Sequence, residues 1–377
     1  MSEGEKDLIS VTESFNATLT AVRSVSGPKY YVLLTVMVIV VVVTILGNGL
    51  VIVAFKVDKC LRRQCSYYLL NLAISDFLVG AFCVPVYIPY VLRGKWILGR
   101  GLCKLWLVMD YVLCCASVFN IVLISYDRFQ SVTRPVSYHA RQGKTYPTII
   151  KMIVVWVLAF ILYGPAIIFW DVIVGQSHVP EDECLAEFSS SWYFLLTAST
   201  FEFFCPFISV AFFNISIYLK IRRRMLHSRE EQHRIQVCML ASAQLSNNCG
   251  VEMNQDLQGS VPSQNPSPQH VNLDHPTDIT ARPSRLYRDR KIAKTLAIIV
   301  FVFAICWAPY TLLMIICAAC KEQCIQNIGY KITFWLLWIN SALNPFLYFI
   351  RHSSFRRAFG KILCPKRRMP PHSPDFN

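Results

Sequence analysis

The chain has 377 residues, of which 54% are hydrophobic, 13% aromatic and only 16% charged, with a formal net charge of +14 and a mean hydropathy of +0.41. Soluble domains carry about 25% charged residues, so too few charges remain to cover two or three globular surfaces, and the apolar content excludes a mainly disordered chain. Its 15 cysteines are too sparse for a small disulfide scaffold, and a polytopic membrane protein is what remains.

Seven apolar stretches are long enough to cross a hydrocarbon core ~30 Å thick, which takes about 20 helical residues. They fall near 31–55, 67–92, 101–128, 152–170, 192–220, 295–319 and 332–350. The fold class that follows is an all-α membrane protein, a seven-transmembrane-helix bundle. Residues 1–30 then form an N-terminal tail, 31–221 hold spans one to five, and 222–290 form the third loop on the basic side. Spans six and seven lie in 291–350, and 351–377 form the C-terminal tail. Lys and Arg gather in alternate connections, with 4 in 56–65, 4 in 134–151, 11 in 222–294 and 7 in 351–377, out of 37 in the chain. The loop 171–191 has five acids and no basic residue. Basic loops stay in the cytoplasm, which places the N-terminus outside, the C-terminus inside and the chain in the plasma membrane as a multi-pass protein. The positive charge therefore belongs to membrane lipids and a cytoplasmic partner, and not to nucleic acid.

Ahead of span one there is no apolar core of signal-peptide type, so that span is expected to direct insertion. Asn16-Ala17-Thr18 is a glycosylation sequon on the outer side, whereas Asn214-Ile215-Ser216 lies within span five and carries no meaning as one. In the third loop, Ala241 to Ser284 is rich in Ser, Gln, Asn and Pro and reads as disordered. Its flanks, around Ile221 to Leu226 and Arg288 to Lys294, read as basic helical continuations of spans five and six that face an intracellular partner. Beyond span seven, Ser353 to Cys364 alternates aromatic and basic residues at helical spacing. That pattern predicts a short amphipathic helix on the inner leaflet, with Phe355, Phe359, Ile362 and Leu363 on one face and Cys364 as a palmitoylation site.

Four cysteines fall on the outer side: Cys103, Cys184, Cys320 and Cys324. They allow three connectivities. Cys320 and Cys324 are close enough in sequence to close a small loop, which leaves Cys103 for Cys184.

Three acids lie well inside spans, Asp76, Asp110 and Glu202, with no mid-span Lys or Arg to neutralise them. An ionisable residue at that depth is costly unless it faces protein or water, and it marks a functional site by default. Asp110 and Glu202 are expected at similar depth, with Cys114 and Ser117 on the Asp110 face of span three. Around that depth Tyr111, Trp307, Tyr310, Phe334, Trp335 and Trp338 supply aromatic rings. A buried carboxylate among ring faces is a cage for an organic cation. Asp76 is deeper, where Ser117, Asn340, Ser341 and Asn344 supply the hard oxygen ligands that suit a sodium ion; no other cofactor is expected. Phosphate loops, HExxH pairs, GxSxG turns and metal-ligand clusters are missing, so the chain does not read as an enzyme. A seven-helix transporter is disfavoured because internal repeats and paired broken helices are missing.

Several motifs resemble the rhodopsin-like (class A) G-protein-coupled receptors. They are Gly47-Asn48, Asn71-Leu72-Ala73-Ile74-Ser75-Asp76, Asp127-Arg128-Phe129, Trp156, Pro206, Cys306-Trp307-Ala308-Pro309-Tyr310 and Asn344-Pro345-Phe346-Leu347-Tyr348. Seven in order, one per span, are specific. The resemblance implies that span six swings about Pro309 to open a cleft for a heterotrimeric G protein. It makes Arg128 the central cation of that cleft, paired at rest with Asp127 and with Asp289, and gives Tyr348 a part in the switch. Arrestin and receptor kinases follow as partners by the same analogy. The chain departs from the pattern at Phe129 and at Asn214, where most of the family has tyrosine.

Within the family, Asp110 marks the amine-binding branch as the ammonium counter-ion, and Trp338 in place of a lysine excludes an opsin. Catecholamine receptors carry serines in span five where this chain has Ala198, Ser199 and Glu202. A second carboxylate suits a ligand polar at both ends, such as histamine. Asp110 to Cys114, Asn120 to Phe129 and Ala308 to Met314 resemble the third and fourth histamine receptor subtypes, with Cys320-x-x-x-Cys324 and the Trp335/Trp338 pair leaning toward the third. Those subtypes imply coupling to inhibitory G proteins that lower cyclic AMP. An acetylcholine-type receptor of the same branch is the alternative.

Overall fold

The computed structural model of the chain describes residues 28–61, 64–141, 145–177, 179–252, 277–320, 327–351 and 353–363. In hydrocarbon every backbone N–H and C=O must be satisfied within its own segment, and the long apolar stretches accordingly form helices. Span one is Pro28–Val57, span two Gln64–Arg93, span three Gly99–Thr133 and span four Thr145–Val174. Span five begins as Trp192–Ser199 and continues as Cys205–Glu252. Span six is Thr277–Ala319, span seven Asn327–Arg351, and a tail helix covers Ser353–Leu363. No strand occurs among the described residues.

Six of these helices are long and apolar enough to cross a membrane by composition alone. Span seven is the exception, because its inward face is polar: Asn340, Ser341 and Asn344 are all buried there. It packs between spans six and one and so closes the ring. Span three runs through the middle, against spans two, four and five. Its most apolar stretch is 61% buried, against 22% in span one, so span three is the axis and span one faces lipid. Close helix approach in lipid relies on small residues. A Cβ at Gly47 would lie 2.8 Å from Cγ of Pro345 in span seven, and one at Gly80 would lie 2.8 Å from Cγ2 of Thr44. Asn48 fastens the same seam by donating to the Ser341 carbonyl at 3.1 Å.

Two helices carry a single π-turn, at Val79–Cys83 in span two and Thr200–Phe204 in span five. Such a bulge inserts an extra residue into the helix and re-aims the side chains around it, often at functional sites. Both bulges lie beside the buried acids.

Span five stays helical through Glu252 and span six begins at Thr277, so both ends of the stretch expected to be disordered are helical, while its middle, 253–276, lies outside the described residues. Residues 222 to 244 contain neither Pro nor Gly and are rich in strong helix formers, and Glu230 and Arg234 stand at the i,i+4 spacing that favours a helix. The tail helix was expected to lay its apolar face on lipid. Instead Phe355, Ala358 and Phe359 are buried against the bundle, while Leu363 is exposed. Phe355 sits against Tyr348 at 6.2 Å and Phe359 stacks on Phe349 at 6.0 Å. Lys361 pairs with the buried Asp58 carboxylate at 3.1 Å. Cys364, the expected lipidation site, lies outside the described residues.

Candidate functional site

One end of the bundle is closed by the Cys103–Cys184 disulfide, with Cα atoms 5.6 Å apart. Cys320 is disulfide-bonded; its expected partner Cys324 and the sequon at Asn16 lie outside the described residues. The acidic loop is not bare. Asp171 pairs with Lys104 at 2.8 Å, Glu187 with Arg100 at 3.3 Å and Asp182 with Lys95 at 3.5 Å. Four residues beyond Cys184, Phe188 inserts into the bundle and is fully buried. Its ring meets Phe194 at 4.6 Å, Trp170 at 5.8 Å, Tyr111 at 6.0 Å and Tyr163 at 6.1 Å. The loop is thereby a roof with one apolar peg.

Beneath this roof Asp110 is 3% exposed. Its Oδ1 accepts a hydrogen bond from the Trp338 indole N–H at 2.9 Å, and the Cys83 thiol, brought round by the span-two bulge, is a second partner. Trp338 therefore serves Asp110 through its edge, whereas the sequence suggested a ring face for the cation. The rings around it form one cluster. Phe334 lies 4.7 Å and Trp335 4.9 Å from Trp338, and Tyr310 lies 5.6 Å from Phe334. Tyr87, which sequence reasoning missed, touches three of them, with Trp338 nearest at 5.1 Å. Cys114 is buried one turn from Asp110, and Trp307 is buried with its ring 5.7 Å from Phe303.

The span-five bulge turns Glu202 inward, where it is 8% exposed and within electrostatic reach of Asp110. Its Oε2 accepts a hydrogen bond from the Tyr163 hydroxyl of span four, and Tyr163 rests on Tyr111 at 4.8 Å. Tyr163 was the second residue missed. A single tyrosine on the inward side of an apolar span needs a partner for its hydroxyl, and that signal was available. No Lys or Arg forms an ion pair with Asp76, Asp110 or Glu202 among the described residues.

Deeper in the bundle Asp76 is fully buried. It accepts from Asn344 Nδ2 at 2.8 Å and from Ser117 Oγ at 3.3 Å, and Ser341 is a further hydrogen-bond partner. Ser75 meets Ser117 at 2.9 Å, and Asn340 is buried beside Ser341. A neighbouring chain of bonds ties spans two, three and four, from Trp156 to Asn71 at 3.0 Å and from Asn71 to Asn120 at 2.8 Å.

At the opposite end Arg128 pairs with Asp127 at 3.4 Å. Tyr138, in the short helix Pro135–Arg141, donates to the same Asp127 oxygen at 3.1 Å; this third partner was not foreseen. Arg224 of span five donates to the Val132 carbonyl at 2.8 Å and so caps the end of span three. The side chain of Asp289 lies outside the described residues. Pro309 lies within span six, immediately before the buried Tyr310 and Thr311 and five residues before the buried Met314.

The helical bundle thus holds two buried carboxylates beside aromatic rings toward one end and an Asp–Arg pair at the other. The chain belongs to the rhodopsin family of 7 transmembrane receptors, whose model matches residues 47–348. It is 40% identical over 353 residues to the histamine H4 receptor of Mus musculus, covering 84% of this chain and 88% of that protein. The histamine H4 receptor of Homo sapiens is 39% identical over 359 residues, with 86% and 89% covered. The muscarinic acetylcholine receptor M1 of Homo sapiens is 26% identical over 399 residues, with 85% and 86% covered. These relatives agree with the amine-binding branch. The leaning toward the third histamine subtype finds no support among them.

Proposed function

We propose that the chain is a cell-surface receptor for histamine that activates inhibitory heterotrimeric G proteins and lowers cyclic AMP. The disulfide end faces outward and the Arg128 end faces the cytoplasm. One observation carries this reading: two buried carboxylates, Asp110 and Glu202, lie within electrostatic reach of each other with no Lys or Arg paired to either among the described residues. A ligand that is cationic at one end and a hydrogen-bond donor at the other satisfies both. Histamine has that form, with its ammonium at Asp110 and its imidazole at Glu202, and the identity to histamine H4 receptors supports the choice. The second end of acetylcholine is an ester, which accepts hydrogen bonds but donates none to Glu202, and the identity to muscarinic receptors is lower. Ligand pressing on Trp307 shifts span six about Pro309, because a ligand moves an equilibrium by its differential affinity for the two states. In cells expressing the chain, histamine is expected to lower stimulated cyclic AMP while acetylcholine does nothing. A response to acetylcholine, or silence toward histamine, would contradict this assignment.

The oxygens around Asp76 fit a sodium ion. An uncompensated carboxylate with the Ser117 and Ser341 hydroxyls offers hard ligands of the kind such a cation takes, with Asn340 and Asn344 at hand to complete the shell. A bound ion there favours the resting arrangement. Agonist affinity should then fall as sodium rises, and Asp76→Asn should remove the dependence in the same competition assay. A sodium effect that survives in Asp76→Asn would place the ion elsewhere.

A further inference from the structure

Cys83 is a free cysteine, fully buried, at the last position of the π-turn in span two. Span three holds it twice. Its carbonyl accepts from the Trp106 indole N–H at 2.9 Å, and its thiol donates to the Asp110 carboxylate one turn further along span three. One turn beyond Cys83, Tyr87 stacks on the Trp106 ring at 5.2 Å and meets the Trp338 ring edge-on at 5.1 Å. Trp338 supplies the other donor to Asp110, at 2.9 Å. The contacts run in a closed circuit, from Cys83 to Asp110, Trp338, Tyr87, Trp106 and back to Cys83.

We infer that Cys83 is a positioning residue for the amine: its thiol, with the Trp338 indole, fixes the plane of the Asp110 carboxylate that receives the ligand ammonium. The inference rests on the receptor reading above, in which Asp110 is the ammonium partner. The terminal torsion of an aspartate is broad, so a single donor leaves the carboxylate free to swing about that one bond. Two donors from different helices hold it still, and a group held in its binding geometry gives up less freedom when the ligand arrives. A thiol is a weak donor, so its loss should cost the low end of the range for bonds to a charged group, about tenfold in affinity.

Competition binding of histamine and of phenethylamine to the full chain in membranes tests this, with receptor number read from a surface epitope. Cys83→Val keeps an apolar volume and removes the donor, so both amines should lose about tenfold. Cys83→Ser keeps a donor in a smaller volume, so both should bind within about threefold of the unaltered chain. A residue that only packs gives the opposite order, because apolar swaps that conserve volume are the ones a core tolerates. Binding in Cys83→Ser that is no tighter than in Cys83→Val overturns the inference. So does a loss confined to one amine, since both present an ammonium to Asp110. Should Cys83→Val fail to reach the membrane, Cys83→Ala takes its place, and equal affinities in Cys83→Ala and Cys83→Ser overturn the inference. Asp110→Asn is the control: unchanged affinities there would refute the ammonium reading itself and take this inference with it.

Discussion

Asp110→Asn is expected to weaken every amine ligand of this receptor by about two to three and a half powers of ten. Breaking a buried charge pair by removing one partner costs about 3–5 kcal/mol, and each ~1.4 kcal/mol is tenfold in affinity. The full cost applies because Asp110 is 3% exposed and water cannot stand in for the carboxylate. Asparagine keeps an oxygen for the Trp338 N–H, now bonded at 2.9 Å, so the aromatic cluster stays in place and the loss reports charge. Competition binding of several amines against the variant checks this, with receptor number read independently. A loss confined to one amine would show that the ammonium pairs elsewhere.

Cys103→Ala should remove most ligand-binding sites from the cell surface. The bridge closes a loop with a sequence separation of 81, and a loop of that size is worth about 4–5 kcal/mol in chain entropy. Its position adds a second effect. Cys184 tethers the segment whose Phe188 is fully buried among Tyr111, Tyr163, Trp170 and Phe194, so release of the tether loosens the roof over Asp110 and Glu202. Saturation binding measures both at once, as sites per cell and as affinity at the sites that remain. Normal values on both counts would mean that the bridge does not hold the pocket.

The bundle was legible because lipid leaves the backbone few choices, so hydropathy and length locate the spans almost unaided. The acids were legible for the same reason, since charge at that depth is too costly to be incidental. What escaped was the side-chain geometry that helical spacing alone cannot give. Periodicity counts 3.6 residues per turn, and the π-turns at Val79–Cys83 and Thr200–Phe204 re-aim Cys83, Tyr87 and Glu202 off that count. Tyr163 and Tyr138 each reach a carboxylate on another helix, a pairing that exists only after packing. The tail helix showed the right amphipathic pattern, but pattern does not say whether an apolar face meets lipid or protein. Phe355 and Phe359 found protein because Tyr348 and Phe349 present rings beside them.

Glu202 is where the account is most exposed, because it alone separates histamine from amines with one polar end. Glu202→Gln keeps the shape and an acceptor for the Tyr163 hydroxyl, which now bonds the carboxylate, and removes only the charge. The decisive measurement is competition binding of histamine and phenethylamine, an ammonium with no second polar end, on the unaltered chain and on Glu202→Gln. Histamine should lose about 1–3 kcal/mol, roughly five- to 150-fold in affinity, while phenethylamine binds as before. Equal losses for the two ligands, or no loss for histamine, would contradict the pairing of the imidazole with Glu202 and with it the two-carboxylate pocket.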